Sequence, residues 1–328
     1  MNIESATIAD LELLAKDSRV KTISISDTAD NVLKGLDTLQ KYNKKIGAII
    51  DKKFVDPSSP VEPNQPLSTL TITESQFKKD SIILNKIYKG FDLALTAKAA
   101  TIATSKNAFI IANLSIIDTS SNIQKNIKAL NAISTHIDEI LTPDDTPINL
   151  TFTASDTSKY TNILNKFTYG WHINIKGNAK VSDVSDLVTL WINKKENNNI
   201  NQFTISPYKI FDTGANINSE LSSSGDAIYY AQATHVTDNV KIGQNRSGSN
   251  FSDNLAGLIY NGKFDSTTSF HFIDEDFPYT IEDFFHRQNP KPFKSIGIEI
   301  SAQTSEKNSS LIDNLKKTTP NLTITIRN

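Results

Sequence analysis

The chain reads as an α/β protein. Repeated β-α units with largely parallel strands and flanking helices occupy residues 1–217, and a less regular, strand-rich α+β region over 218–328 closes with a β-α-β unit. Three observations predict this. Apolar strand-like pieces alternate with segments of helical period from the start of the chain to about residue 217. The stretch SISDTADNV at 24–32 returns as SIIDTSSNI at 115–123 and KIFDTGANI at 209–217. A second pair of signatures, LTIT at 70–73 with LNKIYKGFDLAL at 84–95, returns in the same order as LTFT at 150–153 with LNKFTYGWHINI at 164–175. A catalytic motif is needed once per active site, whereas a structural joint is needed wherever an architecture repeats. The recurrence therefore points to a joint.

Taken in order, ATIADLELLAKDSRVKTISISDT at 6–28 is a short helix feeding a strand that carries Ile23 and Ile25. Asp27 and Thr28 follow at the strand-to-helix corner, then Val32, Leu36 and Leu39 at helical spacing. The short oxygen-bearing side chains suit that corner: they accept from the unpaired N–H groups of the first helical turn, and the Asp charge faces the positive end of the helix dipole. The Pro- and Ser-rich DKKFVDPSSPVEPNQP at 51–66 reads as a surface loop. After LTIT comes a helix with Ile83, Leu84 and Ile87, a helix-ending Gly90 expected to be left-handed, and a strand with Phe91, Leu93 and Leu95. The second copy repeats each piece: AATIATSKNAFIIANLSIIDT at 99–119, the corner Asp118, Thr119 and Asn122, the helix with Ile123, Ile127 and Leu130, then Ile163, Leu164, Phe167, Gly170 and the strand with Trp171, Ile173 and Ile175. The first signature repeats at an offset of 91 residues and the second at 80, a shift that the extra residues of the 51–66 loop account for. A third, more distant helix–strand echo spans 179–205. It leads to Asp212, Thr213, Asn216, Ile217 and Leu221, after which SSSGD ends the likeness, so the third unit is expected to be truncated or rebuilt.

Beyond residue 222 the pattern loosens, with strand-like pieces in AIYYAQATHV and LAGLIYNGKF separated by GQNRSGSNFSDN. Regularity returns in SIGIEIS at 295–301, a helix with Leu311, Ile312 and Leu315, and a final strand LTITI at 322–326 whose open edge would be covered or offered to a neighbouring subunit.

Composition narrows the function. The 328 residues carry 34 basic and 36 acidic side chains, a net charge of −2, with no basic run of the kind that tracks a phosphate backbone, so nucleic acid is not an expected partner. No apolar stretch approaches the roughly 20 residues that span a bilayer, and the N-terminal residues do not form a signal peptide, so no membrane insertion is expected. Cysteine is absent and Met1 is the one methionine, which excludes disulfides and thiolate chemistry and suits an extracellular or cell-surface destination.

The order of DLELLAKDSRVKTISISDTADNVLKGLDTLQKY at 10–42, LTITESQFKKDSIILNKIYKGFDLAL at 70–95 and their counterparts in 99–175 resembles the α/β repeats strung together in very large secreted and surface-associated bacterial proteins. Such proteins often leave the cell by a dedicated type I route with Gly- and Asp-rich calcium nonapeptides. This chain has no such nonapeptides, and its ending NLTITIRN differs from the usual export signal. The resemblance supplies no catalytic residues.

The densest chemical cluster is FHFIDEDFPYTIEDFFHRQNPKPF at 270–293, where Glu282 and His286 would share a face at i, i+4 if that piece is helical, with Asp274, Glu275 and Asp276 upstream. Those groups have the chemistry of a metal site; the surrounding phenylalanines favour an aromatic minicore or an interface instead. Calcium at the repeated corners would need more carboxylates per turn than the one Asp supplies. No GxSxG, HExxH or phosphate-cradling Gly-rich motif occurs, so no catalytic, cofactor-binding or metal-ligating residue is assigned. The expected function is a non-enzymatic structural protein that self-associates into a layer, filament or adhesive array. The alternatives are a secreted effector or hydrolase working through residues 222–294, and a glycan-binding module in which Trp171, Trp191 and tyrosines stack on sugar rings.

Overall fold

A computed structural model describes residues 1–54, 66–198, 202–242, 258, 262–273, 294–319 and 321–327, and it is a mixed α/β protein. The chain divides into two compact units, Met1–Asn149 with Asn162–Trp171, and Leu150–Thr161 with His172–Asn328.

The first unit begins with β1 (Asn2–Ala6), α1 (Ile8–Lys16), β2 (Thr22–Asp27), α2 (Ala29–Lys34), α3 (Leu36–Lys41) and β3 (Ile46–Asp51). It continues through β4 (Thr69–Ile72), α4 (Glu74–Lys79), α5 (Ser81–Ile87), β5 (Asp92–Ala97), α6 (Ala99–Thr104), β6 (Asn113–Ile117), α7 (Ser120–Ala132) and β7 (Glu139–Leu141). Its strands form two sheets, β1-β2-β3 and β4-β5-β6-β7, in chain order and parallel throughout. Consecutive parallel neighbours require each strand to be followed by a crossover that returns to the same side, and the helices supply it. The inward strand residues Ile23, Ile25, Leu70, Leu93, Leu114 and Ile116 meet Leu11, Val32, Leu39, Ile83, Ile87, Ile123 and Leu130 of the helices, all of them buried.

The expected helix through Val32, Leu36 and Leu39 is broken in two at Gly35, whereas its counterpart α7, with Asn126 at the matching position, runs unbroken for 13 residues. Glycine's poor helix propensity accounts for the difference. The aligned glycines also part company. Gly170 has φ 93°, the expected left-handed conformation. Gly90 is not among the positive-φ residues; a Cβ there would run into the Ile49 carbonyl oxygen, so it is glycine because a neighbouring backbone passes too close for a side chain.

The second unit carries β8 (Ile148–Thr153), β9 (Trp171–Lys176), β10 (Asn178–Ala179), α9 (Val181–Asn198), β11 (Phe203–Ile205) and β12 (Lys209–Asp212), with α8 (Thr161–Leu164) at the boundary between the units. Then come α10 (Gly214–Ser222), α11 (Asp226–Tyr230), β13 (Ala233–Val236), β14 (Asn239–Ile242), β15 (Ser269–Ile273), β16 (Ser295–Ser301), α12 (Ala302–Lys307), α13 (Ser309–Thr318) and β17 (Leu322–Arg327). The sheets are β8-β9-β11, β10-β12-β13 and β14-β15-β16-β17, the last two parallel at every pair.

The likeness thus outlasts Leu221. The one-residue parallel bridge between Ile140 and Phe167 in the first unit has a counterpart between Thr234 and Phe264 in the second. AIYYAQATHV, which reads as one strand, is a helix as far as Tyr230 and a strand only from Ala233. The buried Glu220 carboxylate accepts the Ala227 N–H at 3.0 Å and, after the left-handed Gly225, starts that helix. Residues 55–65 of the Pro- and Ser-rich loop, and 243–254 of the Gly/Ser-rich stretch, lie outside the described residues.

Candidate functional site

The repeated corner is the same object three times. Asp27 Oδ1 accepts the Thr28 N–H at 2.8 Å and Asn31 Nδ2 at 2.7 Å, and Oδ2 accepts the Ile8 N–H at 2.9 Å. Asp118 takes Thr119 N–H at 2.8 Å, Asn122 Nδ2 at 2.7 Å and Ala99 N–H at 3.0 Å. Asp212 takes Thr213 N–H at 2.8 Å, Asn216 Nδ2 at 2.7 Å and Val181 N–H at 2.9 Å. Thr28, Thr119 and Thr213 each cap their own helix by accepting an N–H from the Asn three residues on. Each Asp therefore serves two helix N-termini at once: one oxygen holds the helix that follows and the other takes the first N–H of the helix before, one coil back. All three carboxylates are buried. Burial pushes the Asp27 carboxyl up, but the bonds from Ile8, Asn31 and Thr28 outweigh it and hold the group below the ordinary value.

Half of the joint recurs outside the sequence pattern, where β14 and not a helix follows the corner. Asp238 accepts the N–H of Gly214, the first residue of α10, although its corner is spelled Thr237-Asp238 instead of Asp-Thr. Since N–H donors fill the carboxylates of the three named corners, a calcium ion there would have to displace them. Among the described residues no group of three or more acidic or imidazole side chains is placed to hold a metal ion.

The other residues singled out in the sequence separate. Asp274, Glu275, Asp276, Glu282 and His286 lie outside the described residues. Trp171 is fully buried in the core, as its alignment with Phe91 implies. Trp191 instead helps to wall a cleft of about 430 Å³ with Pro207, Tyr208, Tyr230, Gln232 and Lys263. Four separate segments build it. Trp191 projects from α9 with its Nε1–H donated to Phe203 O at 2.7 Å, and Tyr208 is fixed below by donating its hydroxyl to Ala227 O at 2.6 Å. Tyr229 and Tyr230 end α11 and are 48% and 38% exposed, unusual for adjacent aromatics. The Trp191 and Tyr230 rings meet at 86° with centroids 4.5 Å apart, and Tyr229 meets Tyr230 at 88° and 4.9 Å. Lys195 lies 5.2 Å from the Trp191 ring centre, and Lys263 lies 5.8 Å from that of Tyr229 while donating to Ala231 O at 2.8 Å. Burial, with Asp226 and Glu196 nearby, pushes the Tyr230 phenol up, and burial lowers the Lys194 ammonium.

A second cluster involves His235. Its Nδ1 is 2.8 Å from Asp265 Oδ2 and its ring is stacked on Phe211 at 4.3 Å. An Asp-oriented imidazole is half of a hydrolytic triad. The nearby Thr267 hydroxyl, however, lies 3.1 Å from that same Nδ1 and donates to Asp265, so it is not held by the other ring nitrogen as a nucleophile would be.

At the outer margin of its sheet, β17 pairs among the described residues only with β16, in the register Ile296–Leu322, Ile298–Ile324 and Ile300–Ile326. The three isoleucines of β16 are buried, whereas Leu322 and Ile324 are partly open and Ile326 is 52% exposed. No described helix is long and apolar enough to cross a membrane. No protein-family model, curated protein or solved structure matches the chain.

Proposed function

We propose that the chain is a non-enzymatic structural protein, exported or displayed at a cell surface, that works by self-association. The observation that carries this reading is the apolar row of β16, which continues into β17 and there meets solvent along a strand whose outer N–H and C=O groups have no partner strand among the described residues. An edge of this kind templates the addition of another strand. The stacked joints support the same reading, since their three carboxylates are spent on holding one coil to the next. The cysteine-free composition supports the extracellular destination.

Sedimentation velocity over a wide concentration range, with electron microscopy of the same samples and with and without calcium, tests it. The expectation is concentration-dependent growth into layers or fibres, blocked by Ile326→Lys, which places a charge on the edge. A chain that stays monomeric at every concentration, or that assembles equally well with Lys at 326, refutes the reading.

A further inference from the structure

The geometry points to the Trp191–Tyr230 cleft as a binding site for a sugar ring of a glycan, independent of any self-association. An aromatic face carries negative quadrupole charge and attracts the weakly positive C–H groups on one face of a pyranose, while the edges of such a ring need hydrogen-bonding partners. The cleft offers both. Trp191, Tyr230 and Pro207 supply apolar lining, with the two rings meeting at 86°, and Gln232 and Lys263 supply polar lining. Its volume of about 430 Å³ lies within the usual range for small-molecule sites and has room for roughly one or two sugar rings.

The angle between the walls selects the ligand class. A flat nucleobase or aromatic metabolite is best held between parallel rings, whereas walls at 86° leave a corner that suits a thick, saturated ring. Trp191 is also fixed in advance, its Nε1–H tied to Phe203 O, as is Tyr208 beside it, its hydroxyl tied to Ala227 O, so these two side chains need little ordering on binding. Two exposed tyrosines in succession at a helix end, held outward while Ala227 and Ile228 of the same helix are buried, are not required by the core.

The chain has two tryptophans, and Trp171 is fully buried, so a Trp171→Phe protein carries a single reporter in the cleft wall. This full-length variant is titrated with neutral oligosaccharides (gluco-, manno- and galacto-configured), with uronic acid oligomers and with nucleoside monophosphates, following Trp191 emission and, in parallel, calorimetric heat on the wild-type chain. The expected result is a saturable shift with at least one oligosaccharide, and protection of Trp191 from acrylamide quenching. Binding should weaken at least ~10-fold in Tyr230→Ala and in Lys263→Met, with unchanged circular dichroism. Both substituted side chains are at least partly exposed, so loss of fold is not expected; if either variant unfolds, Gln232→Ala, at an exposed position, takes its place with the same expected loss. No response to any oligosaccharide up to about 10 mM, a response to nucleotides alone, or binding that survives these substitutions overturns the proposal.

Discussion

Asp118→Ala removes one copy of the joint. In the folded chain its carboxylate is 3% exposed and accepts from Thr119 N at 2.8 Å, Asn122 Nδ2 at 2.7 Å and Ala99 N at 3.0 Å. Ala leaves three donors without an acceptor, and the three are not equivalent. Ala99 is fully buried, so its N–H has no water to turn to, and an abandoned buried donor costs about 1–3 kcal/mol. Thr119 and Asn122 lie at the exposed start of α7, where water recovers part of the loss and leaves about 0.5–1 kcal/mol each. Removing the charge from the helix N-terminus adds about 0.5 kcal/mol. Together these predict a loss of about 2.5–5.5 kcal/mol. Asp118→Asn keeps one acceptor oxygen but turns an NH2 toward the Ala99 N–H, and it should cost about half as much.

Urea unfolding gives the free energy, and amide exchange followed by NMR gives the location. Ala99 should lose protection in both variants, while the Ile8 N–H, held by Asp27 at 2.9 Å, keeps its own. A loss below about 1 kcal/mol for Asp118→Ala, or an unchanged Ala99 amide, would show that the carboxylate does not tie neighbouring coils and would remove the reason offered for the repeat.

Asp80 is fully buried with neither carboxylate oxygen hydrogen-bonded among the described residues, and burial followed by the nearby Asp37 charge raises its pKa above 3.8. Its folded value being raised, the stability it permits is complete below 3.8 and falls as pH climbs through the raised value, so Asp80→Asn should stabilise the protein at pH 7 and flatten that slope in urea melts. Asp27 has the opposite sign: its lowered value means that its contribution is present above 3.8 and lost as pH falls below it, and Asp27→Asn should remove that acid limb while costing stability at pH 7. The two aligned glycines should respond differently by thermal unfolding. Gly170→Asn should cost less than Gly170→Ala, because Asn tolerates positive φ, whereas Gly90→Asn should cost at least as much as Gly90→Ala, because the obstacle there is the Ile49 carbonyl.

Where the sequence repeats itself, the fold could be read from it. Asp27, Asp118 and Asp212 announce their corners because one short carboxylate does a job that few other side chains can do at that spacing, and the apolar residues around them follow strand and helix periods. Asp238 does the backward half of that job unannounced, since a reversed Thr-Asp order still places an oxygen near Gly214 N once the backbone is folded, though a strand and not a helix follows it. Gly90 and Gly170 align perfectly and yet are glycine for different reasons, one for space and one for φ, a distinction that depends on a neighbour 41 residues away in the chain. The aromatic cleft was legible only as the residue type Trp191. Its other walls, Tyr208, Tyr230 and Lys263, belong to three further segments with no spacing rule between them.

The joint also explains why the repeat tolerates so much drift. Its energy sits in one carboxylate, one hydroxyl, one Asn amide and the backbone N–H groups of two helices, and the backbone donors are present whatever the other side chains are. The segments between corners are free to change length and surface as long as the apolar period survives: α2 and α3 are broken at Gly35 where α7 is continuous, and β9 and β10 stand where the first copy has a single β5. Thr142 illustrates the limit. It occupies the place after β7 that the buried Asp51 occupies in β3, and its hydroxyl closes the turn by accepting the Thr146 N–H at 2.9 Å and donating back to Thr146 O at 2.6 Å. Where the chain leaves a strand for a turn, with no helix to start, a hydroxyl is sufficient; where the strand must start a helix and hold the previous one, an Asp stands in every described copy.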